Sequence, residues 1–111
     1  MKQNNSTRNK YKRYIQLQDD YKNYYLAKPL MRELSEKYNL SVGRVRIILE
    51  RIHFDFIRFL NTDEHKHLRD LMRNSISRTR RHLKGQPKKL EELLRAFDIF
   101  AANRKDEADE S

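Results

Sequence analysis

Residues 29 to 52 read "PLMRELSEKYNLSVGRVRIILERI". Two apolar patterns with helical spacing flank a break at Asn39-Leu40-Ser41. Leu30, Leu34 and Tyr38 share one side of the first segment. Val45, Ile48, Leu49 and Ile52, continuing through Phe56 and Phe59, share one side of the second. Pro29 suits the first position of a helix, where its missing N–H costs nothing. Asn39 tolerates a left-handed turn, Leu40 can plug the core, and Ser41 is a good N-cap. The sequence therefore predicts a helix from Pro29 to Asn39, a short turn, and a capped helix to about Leu60. This is the helix-turn-helix order. Such a motif needs a small residue where the helices approach, a turn residue, and a buried aliphatic in the second helix. Ser35, Asn39 and Val45 stand at those places, supported by Leu34 and Ile48.

The second helix opens unusually for one built only to pack. Gly43 lies in its first turn, where glycine costs about 1 kcal/mol relative to alanine. Arg44 and Arg46 project near the same end. Exposed at a helix N-terminus, these residues fit a duplex groove. Gly43 permits close approach of a backbone or base edge, Ser41 can hold a phosphate, and the arginines can reach guanine edges or phosphates.

Working outward, the N-terminal side carries Tyr11, Tyr14, Ile15, Leu17, Tyr21, Tyr24 and Tyr25 at helical spacing, predicting a helix from about Arg8 to Leu26. Residues 1–7 are polar and expected to be disordered. The tyrosines could stack on single-stranded nucleic acid, but their helical spacing favours a core role with hydroxyls at the rim. On the C-terminal side, Thr62 followed by Asp63 and Glu64 predicts the start of a fourth helix. Its stripe is Leu68, Leu71, Met72, Ile76 and Leu83, and Gly85 and Pro87 end it. A fifth helix, from about Pro87 to Asn103, uses Leu90, Leu93, Leu94, Phe97 and Phe100. The acidic tail, residues 105–111, should fray. No period-two alternation appears, so the predicted fold class is all-α. A helix-turn-helix head (8–60) precedes an antiparallel helical hairpin (61–104) that packs back on the head or forms an oligomer.

The 111-residue chain suits one domain. Its 25 Lys and Arg exceed its 16 Asp and Glu, for a net charge of +9, which points to a polyanionic partner. Seven bases and two acids fall in residues 1–28, and seven bases and three acids in residues 61–85. Beyond Ser41, Val42, Gly43, Arg44, Arg46, Ile47 and Arg51, candidate phosphate contacts are Arg8, Lys10, Lys12 and Lys28. Arg73, Arg80, Arg81 and Lys84 form a secondary basic face, which could instead be merely solvated. The absence of cysteine removes thiol chemistry and suits a reducing compartment. No apolar run is long enough to span a membrane, and no signal-peptide core stands at the start. A cytoplasmic protein, on a nucleoid or in host cytoplasm, is expected.

Residues 30 to 60 resemble the helix-turn-helix of the fourth region of bacterial sigma factors and of related response regulators. In that family a Thr or Ser caps the recognition helix and a basic-aliphatic-basic pattern follows, here Ser41 and then Arg44-Val45-Arg46. The resemblance implies that Val42, Gly43, Arg44, Arg46 and Ile47 face the groove. Two positions depart from the pattern: Asn39 replaces the usual turn glycine, and Ile47 a polar residue. The expected partner is double-stranded DNA, with a homodimer or higher oligomer and RNA polymerase as further partners. The expected role is transcription regulation of phage, plasmid or bacterial type. Two alternatives are a packaging or replication accessory resembling a small terminase subunit, and an adaptor for RNA polymerase.

Catalytic signatures are missing. Asp19-Asp20 and Glu91-Glu92 are sequence neighbours whose side chains diverge on a helix, and no phosphate loop or nucleophile-base pair emerges. His65 and His67, two apart, point to different helix faces and do not suit a metal. His53 reads as a rim histidine. Neither an enzyme nor a cofactor is expected.

Overall fold

The structure, a computed structural model, describes the backbone of residues 2–62, 64–72 and 75–110, and the side chains of 12–62, 64–72 and 75–106. Among the described residues every regular element is an α-helix. They are α1 (Lys2–Leu26), α2 (Met31–Tyr38), α3 (Val42–Phe59), α4 (Lys66–Arg69), α5 (Ile76–Leu83) and α6 (Pro87–Glu110).

The helix-turn-helix segment forms from the local signals. Asn39 adopts φ 53° and ψ 48° at the end of α2, the one positive φ at a non-glycine residue among those described. Its N–H reaches the Glu36 carbonyl at 3.3 Å, and the Leu40 N–H reaches that of Ser35 at 3.0 Å. These bonds satisfy carbonyls that a helix end otherwise leaves open. The Ser35 hydroxyl donates to the Leu40 carbonyl, tying the turn to the helix before it. Ser41 is extended, and its hydroxyl oxygen accepts from the Arg44 N–H at 3.1 Å, capping α3. Where the two helices pack, Leu34, Val45, Ile48 and Leu49 are buried. One boundary differs from expectation. Helix α2 begins at Met31, with an extended Leu30 before it, rather than at Pro29.

Aromatic side chains join the motif to the rest of the chain. Tyr21 of α1 and Phe56 of α3 both pack on Phe97 of α6, with ring centroids 5.0 Å apart in each pair. Phe100 lies 5.5 Å from Phe56 and 5.6 Å from Phe59. Leu17, Tyr21, Val45, Ile52, Phe56 and Leu93 are completely buried in the same core. Polar links span its rim. Tyr14 donates to Asp55 at 2.8 Å, where Arg104 of α6 also approaches to 3.4 Å, and Lys22 pairs with Asp98 at 2.8 Å. Tyr38 donates to the buried Asp20 carboxylate, fastening α2 to α1.

The helix expected from Thr62 to Leu83 is two pieces. After α3 the chain closes in short three-residue steps, with Leu68 N–H to His65 O at 2.9 Å and Met72 N–H to Arg69 O at 2.9 Å. Ser75 then caps α5 by accepting from the Arg78 N–H at 3.2 Å. Leu68, Met72, Ile76 and Leu83 are all buried despite the break. The apolar stripe was real; what interrupts it is a second local cap. The last helix packs along α1 and α3 as well as against α4 and α5, so it closes over the head. The ends also depart from expectation, with backbone helical from Lys2 at one end and to Glu110 at the other. Neither terminal stretch contains glycine or proline to stop a helix.

Candidate nucleic-acid interface

The first two turns of α3 divide cleanly. Val45, Ile48 and Leu49 are buried, while Ser41, Val42, Gly43, Arg44, Arg46 and Ile47 are exposed, as is Arg51 one turn later. At 3.6 residues per turn, Gly43 and Ile47 lie near the middle of the exposed arc, with Arg44 and Arg46 on its opposite flanks. The two arginines therefore leave the same end of the helix but not the same edge. A Cβ added at Gly43 would meet nothing within 4 Å, so the glycine is not required by packing inside this chain. Ile47 is 48% exposed and Val42 38%, so neither side chain is held by the core.

The arginines of this face are uncompensated. Five pairs elsewhere among the described residues place a cation against a carboxylate, Lys22–Asp98, Lys37–Asp20, Arg69–Asp70, Arg95–Glu91 and Arg104–Asp55, and His67 meets Glu92. Among the described residues none of Arg44, Arg46 or Arg51 has a carboxylate in ion-pair range. No carboxylate among the described residues pairs with the charges at this end of α3.

Beside it lies a groove of about 240 Å³. Arg46, Glu50 and Phe54 of α3 form one wall, the start of α5 (Ser75, Ile76, Ser77) another, and Met31 and Leu49 lie among its apolar lining. Helix α5 therefore begins next to the second and third turns of α3. Its outward residues are Ser77, Arg78, Arg81 and His82, with Lys84 following, and the helix contains no acid. Arg78, Arg81 and Lys84 likewise have no carboxylate partner among the described residues.

The secondary basic face is only partly as expected. Arg81 and Lys84 are exposed, but Arg80 is half-buried, with Nε out of solvent. It lies at the edge of the stripe made by Ile76 and Leu83, which turns it inward. Arg78 takes its place on the solvent side, and helical spacing from Ile76 could have found it. Arg73 lies outside the described residues, and so do the side chains of Arg8 and Lys10. Lys12 and Lys28 are exposed, on α1 and in the connection to α2. No hydrogen bond or ion pair recorded for them joins them to the α3 face.

No protein-family model, curated protein or solved structure matches this chain. The functional reading therefore stands on the residues and their geometry.

The other sequence candidates resolve into structural roles. Tyr21, Tyr24 and Tyr25 are buried, so they pack rather than offer a stacking surface. Burial, first of all, pushes the Tyr21 and Tyr25 hydroxyls well above the usual tyrosine range. They stand 2.6 Å apart, and Tyr21 also meets His53 Nδ1 at 2.8 Å. His53, expected at a rim, is only 2% exposed, because its register on α3 places it beside Leu49 and Ile52 facing α1. His65 stacks on Phe59 at 5.5 Å and His67 meets Glu92 at 3.1 Å, so each histidine has its own neighbour.

Proposed function

We propose that this protein binds double-stranded DNA, with the N-terminal half of α3 entering the major groove. The observation that carries the reading is the pairing of a capped helix-turn-helix with an exposed, uncompensated first two turns. In this reading Gly43 and Ile47 approach the base edges, where an aliphatic can meet a thymine methyl. Arg44 and Arg46, on opposite flanks, reach guanine edges or the two phosphate walls. Ser41 and the free N–H groups at the start of α3 favour a phosphate. Arg51 adds charge further along. The basic face of α5, with Arg78, Arg81 and Lys84, supplies sequence-independent attraction.

The net charge of +9 supports the same reading, as does the resemblance of residues 30 to 60 to sigma-factor and response-regulator motifs. The role that fits best is a cytoplasmic transcription regulator of phage, plasmid or bacterial type, a binding protein rather than an enzyme.

The test is selection of bound sequences from a random duplex pool, followed by titration of the selected site against salt. Arg44→Ala and Arg46→Ala should each weaken binding to that site by about 1–3 kcal/mol if they touch bases. A phosphate contact would instead weaken all sequences alike and lower the salt slope by about 1. Both variants should keep the wild-type melting temperature. Equal duplex binding by the wild type and the double variant would overturn the proposal.

A further inference from the structure

Phe54 is 60% exposed, the one exposed phenylalanine or tyrosine among the described residues. It sits on α3 beyond the turns assigned to DNA, and neither the core nor the proposed DNA contacts explain it. Glu50 precedes it by four residues and Arg58 follows it by four, so the three form one stripe. Both charged residues are exposed, and neither has an ion-pair partner among the described residues. The order acid, aromatic, base has a particular symmetry. Laid antiparallel against itself about a two-fold axis at Phe54, it sets Glu50 of each copy opposite Arg58 of the other.

We propose that this stripe is a homodimer contact, with α3 pairing antiparallel to α3 of a second copy. An isologous contact requires a surface complementary to itself, and this one has both charge signs at matching offsets from a central ring. The groove beside Phe54 strengthens the assignment. Its volume of about 240 Å³, with Met31, Leu49 and Ile76 in its lining, gives each ring apolar surface to meet on the other copy. Aromatic anchors of this kind contribute disproportionately to association.

Phe54 shares a face with the residues assigned to the duplex: Ile47 precedes it by seven positions and Gly43 by eleven, close to two and three whole helical turns. On the duplex reading, self-pairing and DNA binding therefore compete for one face of α3. A contact of one helix pair is small compared with a stable interface, so the dimer is weak in free solution.

The experiment is sedimentation equilibrium without DNA, from about 5 to about 500 µM chain, where mass action moves a weak dimer through its transition. The mass should rise from 13.6 kDa toward twice that value. Phe54→Asp should keep the helical circular dichroism and melting temperature yet remain a single chain throughout. Glu50→Arg and Arg58→Glu should each weaken association about tenfold, and the double variant should recover most of that loss. A wild type that stays single at the highest concentration overturns the proposal. So does a dimer indifferent to Phe54→Asp, which would place the contact elsewhere. Weakened single variants without recovery in the double would overturn the antiparallel register. Because no duplex is present, the outcome bears on this contact alone and leaves the DNA reading untouched.

Discussion

At Gly43 a methyl group would meet open space, and the backbone there is helical. Inside this chain, then, alanine should be better than glycine, because it loses less conformational freedom on folding. Gly43→Ala is expected to stabilise the protein by about 0.5–1 kcal/mol, read as a higher melting temperature. If glycine serves close approach to a duplex, the same variant should bind the selected site more weakly. A variant that melts higher and binds equally well would remove Gly43 from the interface. The glycine, the two arginines and the cap were legible from sequence, because each is an exception to what a packing helix needs. Phe54 and Arg58 were not, because a phenylalanine between Ile52 and Phe56 reads as core until the register of α3 is fixed. His53 was misread for the same reason, since its burial depends on where α1 lies.

Elements were legible where a local signal marks their ends. Asn39 in its left-handed turn and Ser41 accepting from Arg44 are short-range events that depend on residues at most a few positions apart. The break within residues 62–83 is not legible in the sequence because the apolar stripe runs on through it. Leu68, Met72 and Ile76 keep a four-residue rhythm, while Ser75, the cap that restarts the helix, has the modest signature of one serine. Val45 tests the motif itself. It is completely buried where α2 and α3 pack, with Leu34, Ile48 and Leu49 as neighbours in the core. Val45→Asp would place an unpaired carboxylate there, at a cost of several kcal/mol, about the whole stability of a small domain. The variant should lose its helical circular dichroism at 25 °C, and a wild-type melt would show that the register of α3 is wrong.

For the whole molecule, the aromatic residues decide how the helices close, and that pairing is long-range. The sequence left open whether the C-terminal helices cover Phe54, Phe56 and Phe59 or pair with a second copy; Phe54 stays 60% exposed, because its position on α3 faces away from α6. Phe97 and Phe100 of α6 supply the cover for Phe56 and Phe59 within one chain. Removal of everything after Leu60 should therefore uncover both rings and the buried face of α1, and the fragment should aggregate in light scattering where the full chain does not. The tyrosines of the same core make a sharper prediction about pH. Burial lifts the Tyr21 and Tyr25 hydroxyls far above the ordinary tyrosine value near 10, and burial, followed by the Asp55 carboxylate beside Tyr14 and the Asp20 carboxylate beside Tyr38, raises those two as well. In the unfolded chain these groups release their protons at about pH 10. In the folded chain they keep them to higher pH. Below pH 10 both states are protonated, and the hydroxyls impose no pH dependence. Above it the unfolded state binds fewer protons than the folded one, so stability falls as pH rises. Tyr21 and Tyr25 should each contribute a loss of about 1.4 kcal/mol per pH unit in that range. The melting temperature should thus be insensitive to these hydroxyls between pH 7 and 9 and fall steeply above about pH 10. Tyr25→Phe removes one titrating group whose recorded hydrogen bond is to Tyr21 alone, so its alkaline decline should be shallower than the wild type's. Equal melting temperatures for the wild type at about pH 9 and pH 11.5 would mean that these rings are not held in the core that joins α1, α3 and α6.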